Sequence, residues 1–323
     1  MSPAKDGDLS VFLATRLLEE VEAELGSVFD LTPARTQDPL RELREIGAEP
    51  DAVLVSLDRP MSADAIEALP RSVRALATYS VGTDHIDLDA AADRGLAVFN
   101  TPGVLSDSVA ENAIFLMLGA ARRATESLDL IRSGRWQGWS PTQLVGVELM
   151  GKNLGILGMG DIGRRTATRA QALGMSVLYC NRHRLPEEQA LGAGFRETAH
   201  ALVADSDVLL LACPSTPETR GIVDAALLEA ARPGLIVVNI ARGDLVEDRA
   251  LIAALGSGQV RAAGLDVFSG EPDFDPAYLD LPNVFMLPHI GSSTIEARLR
   301  MGRILIEALR AWSAGGHPSN RVV

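Results

Sequence analysis

The sequence predicts an α/β protein made of two domains, each with a doubly wound, parallel β-sheet. Short continuous apolar runs recur along the chain, including 52–57, 153–158 and 235–241. Stretches with helical periodicity separate them, as at 14–25 and 62–70. Apolar runs that alternate with helices are typical of parallel strands covered on both faces. Further strands are predicted at 10–15, 74–80, 95–100, 176–181, 207–213, 262–268 and 284–288.

The domain boundary is expected near residues 100–104, because 323 residues are enough for two domains and the first set of strands ends there. Just beyond it, the capping-box spacing of Ser108 and Glu111 predicts the start of a long apolar helix that reaches about residue 127. A second long helix is predicted at about 293–311, and we expect it to return to the first domain. The expected domains are 1–102 together with 292–323, and 103–291.

The composition narrows the classes of function. The formal net charge is −13 and no basic stripe is visible, which argues against a nucleic-acid partner. Only two cysteines occur, so a disulfide framework is not expected and a reducing cytoplasm fits. The N-terminal segment lacks the apolar core of a signal peptide, and no apolar run reaches the roughly 20 residues that span a bilayer. We therefore expect a cytoplasmic protein with no membrane partner.

A glycine-rich hexapeptide, GMGDIG at 158–163, lies between a predicted strand and a predicted helix. Alone this pattern is weak evidence, but the next predicted strand, 176–181, completes a βαβ unit of the dinucleotide-binding type. The glycines permit a tight turn, close approach of a pyrophosphate and close packing of helix on strand, while the helix N-terminus offers free amides to the phosphates. The predicted cofactor contacts here are Gly158, Met159, Gly160, Asp161, Ile162 and Gly163.

The end of the next strand decides which dinucleotide is expected. An NAD site has Asp or Glu at this place to bind the ribose 2′-hydroxyl. This sequence has Asn181, followed closely by Arg182 and Arg184. A carboxylate would repel a 2′-phosphate, whereas a guanidinium binds one with two charge-assisted hydrogen bonds. We predict that NADPH is preferred and that NADH is used less efficiently; the alternative is that both arginines only solvate a surface loop.

Three polar residues follow successive predicted strands: Arg242, Glu271 and His289. The carboxyl ends of parallel strands share one edge of a sheet, so we expect the three side chains to lie together. The set suits hydride transfer to a 2-oxo acid. The arginine would bind the carboxylate and polarise the carbonyl, the histidine would protonate the oxygen, and the glutamate would orient the histidine. Singly, each residue type is common at strand ends without a function. The remaining histidines and the cysteines do not cluster, so no metal site is predicted.

With these motifs the chain resembles the D-isomer-specific 2-hydroxyacid dehydrogenases, from about Val53 to Trp312. The resemblance implies two Rossmann- or flavodoxin-like domains with the active site in the cleft between them. It also implies the roles given above for the three polar residues. The most specific segments are 158–163, 237–248, 262–272 and 287–294.

The resemblance implies further contacts with substrate and cofactor. Val81 and Gly82 match a substrate loop whose backbone amides bind the carboxylate; the alternative is a plain turn after a strand. Asp266 is implied to hold the nicotinamide carboxamide. The adenosine side is implied to be lined by Cys213, Pro214 and Thr219. Other implied cofactor contacts are Ile240, Ala241, His289, Gly291 and Ser292.

Within the family, the likeness is greatest to glyoxylate/hydroxypyruvate reductases. Residues 134–149 resemble their dimerisation loop, in which a tryptophan reaches into the active site of the partner subunit, and Trp139 is the match. A homodimer is therefore expected, with Trp139 either contacting substrate across the twofold axis or forming part of the interface core. Asn181 and Arg182 also suit the NADP-using members.

Other activities share these motifs. A phosphoglycerate, phosphite or formate dehydrogenase is one alternative, although formate enzymes carry an amide where this chain has Glu271. A 2-ketogluconate reductase is another, because pocket size cannot be read from one sequence. A dinucleotide-sensing corepressor that binds peptides is the alternative from a different class. The preferred prediction is NADPH-dependent reduction of glyoxylate or hydroxypyruvate.

Overall fold

The computed structural model describes residues 9–323. The chain divides into two compact units. Unit 1 consists of Met1–Leu105 together with Ser293–Val323, and unit 2 consists of Ser106–Ser292. No helix in the described part of the chain is both long and apolar enough to cross a lipid bilayer.

The first part of unit 1 alternates strands with helices. Three of its strands, at 52–55, 75–78 and 97–99, are buried along their whole length, as expected for a parallel sheet covered on both faces. The elements are β1 (Ser10–Leu13), α1 (Glu19–Val28), β2 (Asp30–Pro33), α2 (Pro39–Glu45), β3 (Ala52–Val55), α3 (Ala63–Glu67), β4 (Ala75–Thr78), α4 (Leu88–Asp93) and β5 (Ala97–Phe99). Within residues 9–105, these strands form a parallel sheet of five in the order β2-β1-β3-β4-β5.

Unit 2 repeats the alternation on a larger sheet. Its elements are α5 (Ser106–Ala121), α6 (Ala124–Arg132), β6 (Asn153–Leu157), α7 (Asp161–Ala172), β7 (Ser176–Cys180), α8 (Glu187–Ala190), β8 (Gly194–Phe195), α9 (Ala199–Ala204), β9 (Val208–Leu211), α10 (Ala225–Glu229), β10 (Leu235–Asn239), α11 (Asp248–Ser257), β11 (Val260–Leu265) and β12 (Val284–Met286). The seven strands of residues 106–292 are parallel, in the order β12-β11-β10-β9-β6-β7-β8.

Both sheets are parallel and flanked in sequence by helices, which confirms the predicted α/β class with two Rossmann-like sheets. In unit 2 the strand order reverses direction between β6 and β9. Ligands of open α/β sheets bind outside the carboxyl ends of the strands at such a reversal. We therefore expect a ligand to bind at the loops that follow β6, β9 and the strands next to them.

The chain returns to unit 1 through a last helix, α12 (Ile295–Ser313), which packs on α1. Its start is capped by Thr294, whose side chain accepts the Ala297 N–H at 3.2 Å. Beyond the helix, the final residues run along β5, where Val322 N–H donates to the Val98 carbonyl at 2.7 Å. This closing segment extends the hydrogen bonding of the sheet at its β5 edge.

The predicted start of the long apolar helix at Ser108 was wrong. The helix begins at Ser106, and Ser108 is a buried residue of its first turns whose hydroxyl donates to the Gly291 carbonyl at 2.7 Å. It also ends earlier, at Ala121, because Arg123 takes a left-handed conformation with φ of 56° and α6 begins just after it. Because Ser108 lies inside the helix and not at its N-terminus, the capping-box spacing was misleading.

Two strands escaped prediction, and both lie at sheet edges. β2 exposes Asp30 and Thr32, so it lacks the continuous apolar run that identifies a central strand. β8 has only two residues, both partly exposed. Edge strands are covered on fewer sides and therefore carry a weaker hydrophobic signal.

Candidate active site

The three polar residues singled out in the sequence follow neighbouring strands of unit 2. Arg242 follows β10, Glu271 follows β11 and His289 follows β12. Because β12, β11 and β10 are adjacent in the sheet, the structure brings all three to the same edge. This edge is formed by the carboxyl ends of the strands, where such folds place their ligands.

His289 and Glu271 form a direct hydrogen bond of 2.8 Å between Nδ1 and Oε2. Burial opposes ionisation of Glu271, but the hydrogen bonds from His289 and from the Phe268 N–H, with the nearby charge of Arg242, hold the pKa of this carboxyl below its usual range. An ionised carboxylate only accepts hydrogen bonds, so the proton of the pair lies on Nδ1. Nε2 is thereby left as the atom of the ring that can exchange a proton with a ligand.

Asp266 anchors the loop that carries His289. Its carboxylate is almost fully buried and accepts the N–H groups of Ile290 and Gly291, each at 2.8 Å, while its carbonyl accepts the His289 N–H at 2.8 Å. Burial raises the pKa of Asp266, although the two N–H donors act in the opposite direction. Held in this way, His289 adopts φ of 54°, a left-handed conformation that few residues with a side chain take up. The predicted contact of Asp266 with the nicotinamide stays a prediction.

The loop that carries Arg242 is fixed by its neighbours. Asn239, buried at the end of β10, donates from Nδ2 to the Arg242 carbonyl at 2.8 Å and accepts the Ala241 N–H at 3.0 Å. At Gly243, a Cβ would lie 1.8 Å from the carbonyl carbon of Phe268. Only glycine therefore lets the loop after β10 lie against the loop after β11, and this approach holds Arg242 close to Glu271.

In the glycine turn between β6 and α7, a side chain would clash with the protein at two of the three glycines and would meet no protein atom at the third. Gly158 has φ of 95°, and a Cβ there would lie 2.5 Å from the Cys213 nitrogen. A Cβ on Gly163 would lie 2.7 Å from the Gly158 carbonyl oxygen. At Gly160 no atom lies within 4 Å of the Cβ position, so the backbone there is open to close approach by a ligand. Within the same segment, Met159 is buried, Ile162 is partly buried and Asp161 forms an ion pair with Arg165 at 3.3 Å.

Asn181 contacts the glycine turn directly. Its Oδ1 accepts the Met159 N–H at 2.6 Å. Arg182 and Arg184 are exposed on the loop that follows β7, and the Arg184 guanidinium lies 6.0 Å from the centre of the Phe195 ring. The structure thus places both arginines beside the end of the strand at which a ribose is bound in dinucleotide-binding folds.

The remaining predicted cofactor contacts lie on the loops after β9, β10 and β12. Thr219 closes the first of these loops: its hydroxyl donates to the Pro214 carbonyl and accepts the Thr216 N–H, both at 2.8 Å. Cys213 is buried, and burial raises the pKa of its thiol to about 11. Of the others, Ile240 and Gly291 are buried, whereas Ala241 and Ser292 are partly exposed.

The predicted substrate loop lies in unit 1, directly after β4. Val81 and Gly82 are both partly exposed, and the Val81 carbonyl accepts a hydrogen bond from Asn100 Nδ2 at 2.8 Å. Among residues 9–323, neither the Val81 nor the Gly82 N–H donates to a protein acceptor. Successive backbone amides with free N–H groups form a binding site for anions.

The predicted dimerisation loop forms part of an apolar surface on unit 2. Trp139 is 85% exposed, and Trp136 and Ile131 are also largely exposed. Together with Val145, these side chains line one surface groove. Large apolar side chains grouped at a surface are typical of an interaction site.

Sequence reasoning missed the residues that position the site. Asn239 and Gly243 hold the arginine loop, and Asp266 holds the histidine loop through contacts that are additional to its predicted role. The available signals were a polar residue that ends an apolar strand and a glycine that directly follows the arginine. Neither signal is specific, because polar residues and glycines are common at the ends of strands.

The chain is similar to known dehydrogenases and reductases. Residues 114–291 match the model for the NAD-binding domain of the D-isomer-specific 2-hydroxyacid dehydrogenases. The chain is 42% identical over 284 residues to a glycerate dehydrogenase from Hyphomicrobium methylovorum, covering 85% of this chain and 88% of that protein. It is 39% identical over 288 residues to a glyoxylate reductase from Thermococcus litoralis, covering 88% of this chain and 85% of that protein.

A similar solved structure is the NADPH-dependent glyoxylate/hydroxypyruvate reductase of Sinorhizobium meliloti in complex with NADP and malonate. Its TM-score is 0.87 at 30% identity, and the match covers 98% of this chain and 97% of that one. The parallel sheet, the glycine turn and the matched domain define an oxidoreductase that binds a nicotinamide dinucleotide. The chain belongs to the D-isomer-specific 2-hydroxyacid dehydrogenase family.

Proposed function

We propose that this protein reduces small 2-oxo acids, glyoxylate and hydroxypyruvate above all, with NADPH as the preferred reductant. The observation that carries the proposal is the hydrogen bond between His289 and an ionised Glu271 at the sheet edge that also carries Arg242. The names of the relatives, glyoxylate reductase and glycerate dehydrogenase, support the same class of substrate.

The residues around the glycine turn fit a dinucleotide. The open space at Gly160 admits a pyrophosphate, and the first N–H groups of α7, which have no carbonyl partner within the helix, would bind its oxygens. Asn181, Arg182 and Arg184 would hold the ribose and its 2′-phosphate, and Asp266 the nicotinamide amide. When bound, the nicotinamide supplies the hydride that reduces the substrate carbonyl carbon.

His289 would supply the proton. With Nδ1–H held by Glu271, protonation of Nε2 gives an imidazolium that the carboxylate stabilises. As the carbonyl carbon is reduced, the carbonyl oxygen gains negative charge and takes the Nε2 proton, which yields the 2-hydroxy acid and a neutral imidazole. Arg242 would bind the substrate carboxylate and stabilise the charge that develops on the oxygen. The amides of Val81 and Gly82 would also bind the carboxylate.

One assay tests the activity. Purified protein is mixed with NADPH and, in turn, glyoxylate, hydroxypyruvate, pyruvate and 2-ketogluconate, and NADPH oxidation is followed at 340 nm. We expect the highest kcat/KM with glyoxylate or hydroxypyruvate, and D-glycerate oxidation by NADP⁺ in the reverse direction. A clear preference for 2-ketogluconate would reassign the substrate. Absence of turnover with all four acids would favour a dinucleotide-sensing, non-enzymatic role.

Changing Asn181 to Asp should shift the cofactor preference toward NADH. The aspartate can still accept the Met159 N–H, so the turn stays folded, but its charge repels a 2′-phosphate and its free oxygen can accept from a 2′-hydroxyl. We expect the ratio of kcat/KM for NADPH to that for NADH to fall about tenfold or more, a change about as large as one charge-assisted hydrogen bond contributes. The exposed Arg249 of α11 supplies the control, Arg249→Ala, which should leave the ratio unchanged. An unchanged ratio in Asn181→Asp would show that other residues decide whether the 2′-phosphate of NADPH is bound.

We also propose that the groove containing Trp139 is covered by a second copy of the chain. Support comes from the 85% exposure of this side chain and from the apolar residues grouped with it. Sedimentation velocity should give twice the chain mass of 34.3 kDa, and Trp139→Ala should weaken the dimer. If Trp139 also contacts substrate, KM for hydroxypyruvate will rise at concentrations at which the variant is still dimeric. A monomeric wild type would refute the proposal.

A cytoplasmic location is part of the proposed function, supported by two cysteines that are both free.

A further inference from the structure

A chain of hydrogen bonds lies beneath the proposed substrate loop of unit 1. Thr78, fully buried at the end of β4, has its hydroxyl 2.8 Å from Ser80 Oγ and 2.8 Å from His85 Nε2. Ser80, also buried, contacts the carbonyl oxygen of Gly82 through its hydroxyl at 2.6 Å. The proposed mechanism uses none of these three side chains.

The direction of each proton in this chain is fixed by the donors available. A carbonyl oxygen only accepts, so the single hydroxyl proton of Ser80 is donated to Gly82. Ser80 must then accept from Thr78, whose own proton is used in that bond. The Thr78 oxygen is left to accept, so His85 donates to it from Nε2. The contacts therefore assign a proton to Nε2 of His85.

Three successive carbonyls of the loop are held by hydrogen bonds. The Ser80 carbonyl accepts the Thr101 N–H at 2.9 Å, the Val81 carbonyl accepts from Asn100 Nδ2 at 2.8 Å, and the Gly82 carbonyl accepts from the Ser80 hydroxyl. In a trans peptide the C=O of one residue and the N–H of the next point in opposite directions. Each held carbonyl thus directs the following N–H away from its anchor.

The N–H groups directed in this way belong to residues 81, 82 and 83. Within the described residues, 9–323, none of them donates to a protein acceptor. Two of the three carbonyls are anchored by the segment after β5, and the Gly82 carbonyl is anchored by the chain that begins at His85. The last peptide of the loop is thus held by Ser80, and His85 is linked to it through Thr78.

We propose that His85, acting through Thr78 and Ser80, is a positioning residue that holds the 81–83 amides in the orientation that binds the substrate carboxylate. This inference rests on the proposed function, in which the loop binds a 2-oxo acid. Removing the Ser80 hydroxyl releases the Gly82 carbonyl directly. Removing His85 lets the Thr78 hydroxyl proton turn away from Ser80, so Ser80 is no longer held as a donor to Gly82. In either case the peptide that follows Gly82 can rotate and the amide site loses its fixed geometry. The effect falls on carboxylate binding and leaves the nicotinamide cofactor and the proton donor untouched.

The test compares four variants of the 323-residue chain. Ser80→Ala removes the donor to Gly82, His85→Leu removes the first donor of the chain, and His85→Gln keeps a donor near the place of Nε2. Ser27→Ala is the matched control, because Ser27 is an exposed serine of unit 1 that also donates to a main-chain carbonyl, that of Glu24, at 2.7 Å. The readouts are KM and kcat for glyoxylate, the Kd for NADPH, and the Kd for oxalate measured by calorimetry in the presence of NADP⁺.

We expect Ser80→Ala and His85→Leu to raise KM for glyoxylate and Kd for oxalate about tenfold, the usual effect of losing one hydrogen bond. The Kd for NADPH should stay within about twofold in every variant, and His85→Gln should resemble the wild type, as should Ser27→Ala. Unchanged oxalate affinity in His85→Leu would overturn the inference, as would a His85→Gln variant as weak as His85→Leu. If Ser80→Ala does not fold, the two His85 variants decide.

Oxalate binding can be measured without turnover, so the role of His85 can be tested separately from the proposed reductase activity. A wild type that binds oxalate but reduces no 2-oxo acid contradicts the proposed function, while the variants still test the role of His85 in carboxylate binding. A wild type that reduces glyoxylate, with variants that bind oxalate normally, contradicts the role of His85 alone. A wild type that does neither overturns both.

Discussion

Replacing His289 with alanine should lower kcat for glyoxylate reduction by about 10²–10⁴-fold, the usual range for loss of a general acid. The imidazole is the group at this sheet edge whose Nε2 is left for proton exchange, because Nδ1 is held by Glu271 at 2.8 Å. Because the pKa of Glu271 is lowered, this carboxylate is ionised at any pH above the usual pKa of a glutamate. Its hydrogen bond stops stabilising the imidazolium only when the pH falls through the lowered pKa. The measurement is steady-state kinetics with NADPH at pH 7.

Two observations control for the His289→Ala result. The exposed His200 of α9 serves as the matched variant, and His200→Ala should leave kcat unchanged. The Kd for NADPH, from quenching of protein fluorescence, should change little in His289→Ala, since the proposed loss is a proton donor and not a binding site. A kcat within about tenfold of the wild type would exclude His289 as the proton donor.

Replacing Arg242 with alanine should lower kcat/KM by about 10²–10³-fold or more, with both kcat and KM affected. The guanidinium is proposed to bind the substrate carboxylate before reaction and to stabilise the oxygen during it, so ground state and transition state both lose a charged contact. Arg242→Lys should recover only part of the loss, because an ammonium keeps the charge but not the planar pair of donors.

The control for Arg242 is again Arg249→Ala, which removes a guanidinium of unit 2 without touching the site. The melting temperature should be compared as well, because Arg242 lies near Glu271 and its charge contributes to the lowered pKa of that carboxyl. A variant that folds normally and keeps near-normal kcat/KM would show that another residue binds the substrate.

The parts of this fold that the sequence predicted are those with a local signal. β6, β9 and β10 are continuous apolar runs, and each is fully or almost fully buried. The positions of Arg242, Glu271 and His289 were predictable because each follows such a run. The glycine turn was predictable because its spacing is combined with a strand before it and a helix after it.

The unpredicted parts depend on contacts between residues far apart in sequence. Nothing near Asp266 indicates that its carboxylate binds amides 24 and 25 residues further along the chain. The break after Ala121 depends on the left-handed conformation of Arg123. Arginine seldom adopts this conformation, so helix propensity gave no reason to end the helix there. The bond from Asn181 to Met159 spans 22 residues and was likewise outside the reach of a local pattern.

Gly243 and Gly160 lack a side chain for two different physical reasons. At 243 the hydrogen atom in place of a side chain is a condition for folding, since the next loop occupies the space of any Cβ. At 160 the space is vacant, so an added methyl group leaves the fold intact and competes only with whatever approaches the backbone from outside. Loss of glycine at the first position would be seen as poor yield, and at the second as well-behaved protein that no longer retains its coenzyme.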